Sequence, residues 1–360
     1  MFSRLSWLVL CCSCLAGCVR QSGPLMAPLQ GPPTLGCRSV ESDARVDLNW
    51  IGPIATRDER RRDLWCRAVG PALVSSVKAR PDKAATVAVV TWNTQVGSGN
   101  IRRLVEKLRS GELTGGAASR EFVLLLQEVR RSGASVPDVP AGFNPPRRLG
   151  PGLARSADGT RPSDANDIAE IARSLALNLA YAPAMRNGAM REDRGNAILS
   201  SLPLDEVTVI ELPMERQRRI AVAATLHGLR AGGESWALRV ASVHLETRAS
   251  LLRDGPAAAR QRQARALVDA LSSTSMPTVI AGDLNTSQGV GEPAVVELRR
   301  GFPDAGPTRG PTWRGPMGLA ATLDHLFARM PGTRLDVHRI PDRLGSDHYP
   351  LVTVIPQGQF

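Results

Sequence analysis

Beyond residue 84, short runs of aliphatic and β-branched residues alternate with stretches in which apolar positions recur every three or four residues. The short runs predict strands at 86–92, 122–127, 197–200, 219–226, 236–244, 278–281, 323–328 and 351–355. The helical spacing predicts helices at 101–109, 257–271 and 164–178, the last with Ser163 as a candidate N-cap. Between 136 and 161 a segment dense in Pro, Gly and Arg reads as a long surface loop. Upstream, Leu64, Trp65, Val69 and Leu73 predict a helix within 58–79 that is interrupted near Pro71. The chain contains no internal repeat or heptad run.

The polar residues that close these apolar runs change the picture. Val87 to Val90 lead into Asn93, and the run at 122–126 ends in Gln127 and Glu128. Asp193, Arg194 and Asn196 precede another strand, and His244 closes one. Asp283 and Asn285 stand two residues apart in GDLN, a spacing that points both the same way in an extended chain. Asp324 opens DHLFA, and Ser346, Asp347 and His348 lie in GSDHYP. An amide and a carboxylate are hard oxygen donors suited to Mg²⁺ or Mn²⁺. Asp283 is placed to take a proton from an attacking water while Asn285 binds a phosphoryl oxygen. Taken singly, each residue also reads as a cap, a loop residue or a satisfied structural histidine. Asp347 and His348 are adjacent, so only a turn at 345–348 brings both to one site. Ser346 reads as a turn residue, and no Ser-His-Asp or Cys-His set is present.

In their order WN, QE, RGNAILS, HL, GDLN, DH and SDHYPL, these motifs resemble the endonuclease/exonuclease/phosphatase family, over about three-quarters of the chain. The resemblance implies the α/β (α+β) fold of a DNase I-like protein, a four-layered sandwich of two packed mixed β-sheets flanked by helices. It also implies metal-assisted hydrolysis of a phosphate ester. By that resemblance Glu128 is a metal ligand, with Asn93 and Asp347 beside the metal. Asp283 orients or deprotonates water, and Asn285 contacts the phosphate. His244 lies beside the scissile group, and Asp324 supports the closing His348.

The first residues are organised differently. Arg4, an apolar run at 5–15 and Leu15-Ala16-Gly17-Cys18 resemble a bacterial lipoprotein signal, with Cys18 as the lipidated residue. A plain secretory signal is the alternative. The expected organisation is a signal peptide at 1–17, an N-terminal tether and small appendage at 18–84, and a catalytic domain at 85–360. Of six cysteines, Cys37 and Cys66 remain as an even pair, able to form one disulfide in an oxidising envelope. Two buried free thiols are the alternative. Val19 after Cys18 suggests the outer membrane, facing the periplasm. Membrane attachment is then expected through the N-terminal lipid alone, with the protein a monomer.

The formal charge of +11 attracts phosphate-rich partners, although Arg supplies nearly all of it and a codon bias would do the same. The expected partner is a phosphodiester substrate, with nucleic acid first. Few aromatic residues are available to stack bases, Tyr181 and Tyr349 being the tyrosines. The alternatives are a phospholipid or small-molecule phosphodiesterase or phosphatase, and a non-catalytic phosphate-binding lipoprotein. The candidate membrane hairpin at 227–235 is polar. Trp313 reads either as a platform at the site's mouth or as a loop cover. Arg216, Arg218 and Arg219 read either as a phosphate guide or as a solvated run.

Overall fold

A computed structural model describes residues 25–29, 37–42, 48–54, 58–77, 85–116, 119–145, 166–230, 232–247 and 255–360. Cys18 and Ser163 lie outside them.

Two sheets form the body. The first runs β1 (Met26–Pro28), β3 (Asn49–Pro53), β9 (Leu204–Glu211), β10 (Ile220–Leu229), β11 (Ser235–His244), β12 (Thr278–Asp283) and β15 (Asp324–Arg329) in spatial order. The second runs β16 (His338–Arg339), β17 (Leu351–Pro356), β5 (Thr86–Asn93), β6 (Glu121–Ser132), β8 (Glu192–Ser200), β7 (Asn178–Arg186), β4 (Ala72–Ser75) and β2 (Val40–Ser42). A short ribbon pairs β13 (Trp313–Arg314) with β14 (Ala320–Ala321).

Side-chain parity assigns the layers. On β5, Val87 and Val89 face the opposite sheet, where they meet Val222, Leu238, Val240 and Val279. Ala88, Val90 and Trp92 face outward, under α2 (Ile101–Arg109) and α3 (Ile168–Leu175). The outer face of the first sheet is covered by α4 (Gly255–Leu271) and α5 (Pro293–Gly301). The fold is therefore the expected four-layered sandwich, two mixed sheets between helices. Central strands are apolar on both faces because both faces are covered, which is why their runs are continuous rather than alternating.

Several elements depart from the sequence expectation. The helix expected within 58–79 stops early: α1 is Glu59–Arg67, and Gly70 and Pro71 turn the chain into β4, which pairs with Tyr181 and Ala180. Helix α3 begins at Ile168, where Asp167 accepts from the N–H groups of Ala169 and Glu170. The described parts of 18–84 do not stand apart as an appendage. Strands β1 and β3 extend the first sheet, β2 and β4 extend the second, and a Cys37–Cys66 disulfide joins the two ends of 37–66. No helix among the described residues is long and apolar enough to cross a membrane.

Candidate active site

The layer between the sheets is apolar along most of its length and turns polar at one end. Asn93 shares the inward parity of Val87 and Val89, and Asp283 that of Val279 and Ala281. His244 likewise follows Leu238 and Val240, and Asp324 precedes Leu326 and Ala328 on the same face. Strand register then sets His244, Asp283 and Asp324 abreast on three neighbouring strands. Beneath them the sheets are tied together by polar contacts. Gln127 donates to Ser242 Oγ (3.0 Å), and Asn196 donates to the carbonyl of Ile220 (2.9 Å). Gln127 and Asn196 thus hold the platform together.

Above this floor opens a cleft of about 640 Å³, lined by Asn93, Glu128, His244, Asp283, Asn285, Asp347 and His348 among others. Asp324 lies just beneath it. The 345–348 turn brings Asp347 and His348 in together: Ser346 Oγ donates to the Asn93 carbonyl (2.7 Å) and accepts from the His348 N–H (3.0 Å). Glu128 reaches the cleft because β6 shifts register between Leu126 and Val129, with Glu128 at φ 53°.

Asp283 is 1% exposed. One of its oxygens accepts from Asn93 Nδ2 (2.9 Å), the other from the Asn285 N–H (2.8 Å). Asn285 Nδ2 donates to the Leu245 carbonyl (3.1 Å). His244 Nε2 and His348 Nε2 lie 3.5 Å and 3.8 Å from Asp283 Oδ2. Burial and the charge of Asp324 raise Asp283 to about 7, against the opposing pull of His348 and the Asn93 hydrogen bond. Burial alone would lower His348. Its hydrogen bond to Asp324 (Nδ1 to Oδ2, 2.8 Å) and the charges of Asp324, Asp283 and Asp347 instead raise it to about 10. His244 is held neutral, well below its usual value, by burial and by Arg219, Arg194 and His348. One histidine is thus a fixed cation and the other a neutral donor or acceptor, with a carboxylate poised near neutrality between them.

Asp347 is raised by burial and by the nearby Glu128 carboxylate, against His348 and a hydrogen bond from Trp313 Nε1 to Asp347 Oδ2 (2.9 Å). The Glu128 and Asp347 carboxylates, beside the Asn93 amide, form a hard-oxygen donor set that fits a divalent cation, whose charge would offset their mutual repulsion. A second grouping able to hold a metal ion is Asp283, Asp324 and His348, whose ligand atoms lie within 4.8 Å of one another. In that grouping the His348–Asp324 hydrogen bond uses Nδ1 and Oδ2 and leaves Asp324 Oδ1 without a partner, while on the other side Glu128 lies 3.4 Å from Arg194.

Three contributors were named in the sequence without a fixed role. Trp313 lines the cleft and fixes Asp347 through its indole N–H. Arg194 lies 3.4 Å from Glu128. Arg219, 3% exposed, donates to Thr247 Oγ1 and contributes to the depressed titration of His244. The arginine run at 216–219 is accordingly split: Arg216 is exposed, Arg218 is buried on Glu211, and Arg219 backs the site. For Trp313 and Arg219, a polar or cationic residue beside an apolar run was the available signal, and it did not identify their partners.

A model of the endonuclease/exonuclease/phosphatase family matches residues 90–348. The chain belongs to this family. Its members are phosphoester hydrolases, so a hydrolase is the class of enzyme expected from the fold. Among solved structures, an endonuclease/exonuclease/phosphatase family protein from Leptotrichia buccalis is similar at 13% identity and TM-score 0.50, over 75% of this chain and 99% of that one. The human Nocturnin catalytic domain with bound sulfate is similar at 16% identity and TM-score 0.44, over 76% and 95%. A truncated Caenorhabditis elegans TDP2 is similar at 16% identity and TM-score 0.42, over 75% and 97%. No curated protein matches the chain.

Proposed function

We propose that this family member is a metal-dependent phosphodiesterase, acting as an endonuclease on nucleic acid and anchored by lipid at Cys18 to a bacterial outer membrane, facing the periplasm. The observation that carries the hydrolytic reading is the setting of Asp283. It is a buried carboxylate raised to about 7, aimed by Asn93 and Asn285 and flanked by one cationic and one neutral histidine at the floor of an open cleft.

In this reading Asp283 accepts the proton of a water attacking the phosphorus in line. His348, kept cationic by Asp324, meets the charge that develops on the phosphoryl oxygens. Neutral His244 offers an N–H hydrogen bond to the leaving oxygen, which takes its proton from solvent. Asn93, Glu128 and Asp347 would hold Mg²⁺ or Mn²⁺, which supplies Lewis-acid stabilisation of the same charge. The open mouth lets a polymer pass, and Arg314 and Arg343 line the cleft as phosphate-attracting groups. The anchor rests on the residues around Cys18, and the Cys37–Cys66 disulfide accords with an oxidising compartment.

A second reading has its own observation. Met317 is 95% exposed and Leu319 55% exposed, between β13 and β14 at the edge of the cleft. An apolar tip there favours a phosphodiester with an apolar part, such as a phospholipid.

The test is hydrolysis of plasmid DNA, RNA, sphingomyelin and bis-p-nitrophenyl phosphate with Mg²⁺, with Mn²⁺ and with EDTA. Cleavage of DNA or RNA that EDTA abolishes is the expected outcome. Preference for sphingomyelin would move the assignment to the second reading. No turnover of any diester by folded, metal-supplied protein would overturn both.

A further inference from the structure

At the far edge of the first sheet from the cleft, a cavity of about 300 Å³ lies between the start of α1, the bend after β9 and the middle of α4. Its walls are largely apolar, with Leu25, Pro53, Met214 and Ala266 among them. Into it also face Arg62, Arg262 and Arg265, against one lining carboxylate, Asp58. Two of these arginines have acidic partners: Arg262 lies 2.8 Å from Glu215 and Arg265 3.7 Å from Glu297.

Arg62 has none. It is 6% exposed, makes no ion pair among the described residues, and its Nε is buried without a hydrogen-bond partner. A cation taken out of water without a counter-charge is strongly unfavourable, so a fold that keeps one has a use for it. The field of the backbone adds to the charge. Helix α1 begins at this wall, and its N-cap Asp58 makes no side-chain capping bond, so the first-turn N–H groups lack a cap there, with Glu59 in the same turn offsetting part of their positive potential.

We propose that this cavity binds the oxyanion head of an amphiphile, a phosphate ester whose charge meets Arg62 and whose apolar chain lies against Leu25, Met214 and Ala266. The volume is at the lower end of ligand pockets (~300–1,000 Å³), which suits a head group with a short length of chain. Position gives the site a role. Strand register aligns Ile51, Ile210, Ala221, Val243 and Gly282 across the first sheet. Pro53, at the cavity, therefore lies at the same end of that sheet as Asp283. The two are separated by four strand spacings, about 19 Å along one rim. Leu25 is fixed beside the cavity by its N–H bond to Asp269 Oδ2 (2.9 Å). An amphiphile held here by its head, with its chain in a lipid layer, brings the rim that carries the cleft to that surface. This binding does not depend on the chemistry assigned to the cleft.

The test is calorimetric titration of the full chain with octyl phosphate, inorganic phosphate and octyl glucoside, beside Arg62→Gln. Octyl phosphate is expected to bind at least tenfold more tightly than inorganic phosphate, and octyl glucoside not to saturate. Arg62→Gln is expected to weaken octyl phosphate at least tenfold without lowering the melting temperature, because it removes an uncompensated buried charge. Octyl phosphate binding unchanged in Arg62→Gln would place the anion elsewhere and overturn the proposal. Inorganic phosphate binding as tightly as octyl phosphate would reduce the cavity to a free-oxyanion site. Should Arg62→Gln not fold, the half-exposed Arg262→Gln carries the test: weakening of threefold or more supports the site, and unchanged binding rejects it.

Discussion

Around Asp193 and around Asp283 the chain buries carboxylates equally deeply and treats them in opposite ways. Asp193 is saturated. Both its oxygens meet Arg131, Tyr181 donates to one (2.7 Å) and the Gly70 N–H to the other (2.8 Å). The same holds for Glu211, held in two-point contact by Arg218, and for Glu292, which accepts from Arg260 and from the N–H groups of Ser287 and Gln288. At the cleft the valences do not close. Asp324 Oδ1 is buried without a partner, Asp347 and Glu128 repel, and Asp283 is raised rather than lowered. A buried charge that is fully paired supports the fold; one left partly unpaired at a cleft is poised for something the chain does not itself contain.

That contrast can be broken by exchanging the roles. Asp193→Asn is expected to lower the unfolding free energy by about 3–5 kcal/mol, since it leaves Arg131 buried without its counter-charge. Denaturant unfolding reads the loss, and turnover per folded molecule should stay close to wild type. Asp283→Asn is expected to do the reverse. Hydrolysis should fall roughly 10²–10⁴-fold, the range of a lost general base, while the melting temperature holds or rises. A large loss of stability there with modest loss of turnover would show that Asp283 belongs to the first group.

His325 gives the smallest and subtlest test. It is buried beside Asp324, with Nε2 on Thr286 Oγ1 (2.9 Å) and Nδ1 without a partner, and burial lowers it to about 4. Between that value and the 6.5 of the unfolded chain, the unfolded state binds more protons. The stability this neutral form contributes is therefore whole above about pH 6.5 and is lost as pH falls toward 4, at up to about 1.4 kcal/mol per unit. Urea unfolding at pH 7 and pH 5 should show a lower free energy at pH 5, and His325→Gln should reduce that difference. An unchanged difference would remove His325 from the account.

Much of this arrangement was legible because apolar runs end where the inter-sheet layer ends. The residue that closes a run inherits the inward parity of those before it, and this brings Asn93, His244 and Asp283 to one place. Glu128 needed more, since a register shift in β6 turns it toward the cleft and no local pattern encodes that shift. Other elements were hidden by conflicting local signals. Strand β7 contains Pro183, which reads as a strand breaker and here sits at a bulge against β8. Strand β9 opens with Leu204, Asp205 and Glu206, too polar to read as the start of a strand. The N-terminal strands were illegible for another reason: they are short, and their pairing comes from edges supplied far downstream.

Those N-terminal strands impose an order on assembly. β3 and β4 are made early and have local partners in β1 and β2, yet each can join its sheet only after Ile210 and Tyr181 respectively have been made. The opening segment must therefore wait undocked while the centre of each sheet forms, a topology rich in long-range closure and correspondingly slow to complete. Because it closes an edge of both sheets, its arrival is also a checkpoint: a chain truncated before the middle of its length lacks the partners that would hide these strands, and remains recognisable as unfinished.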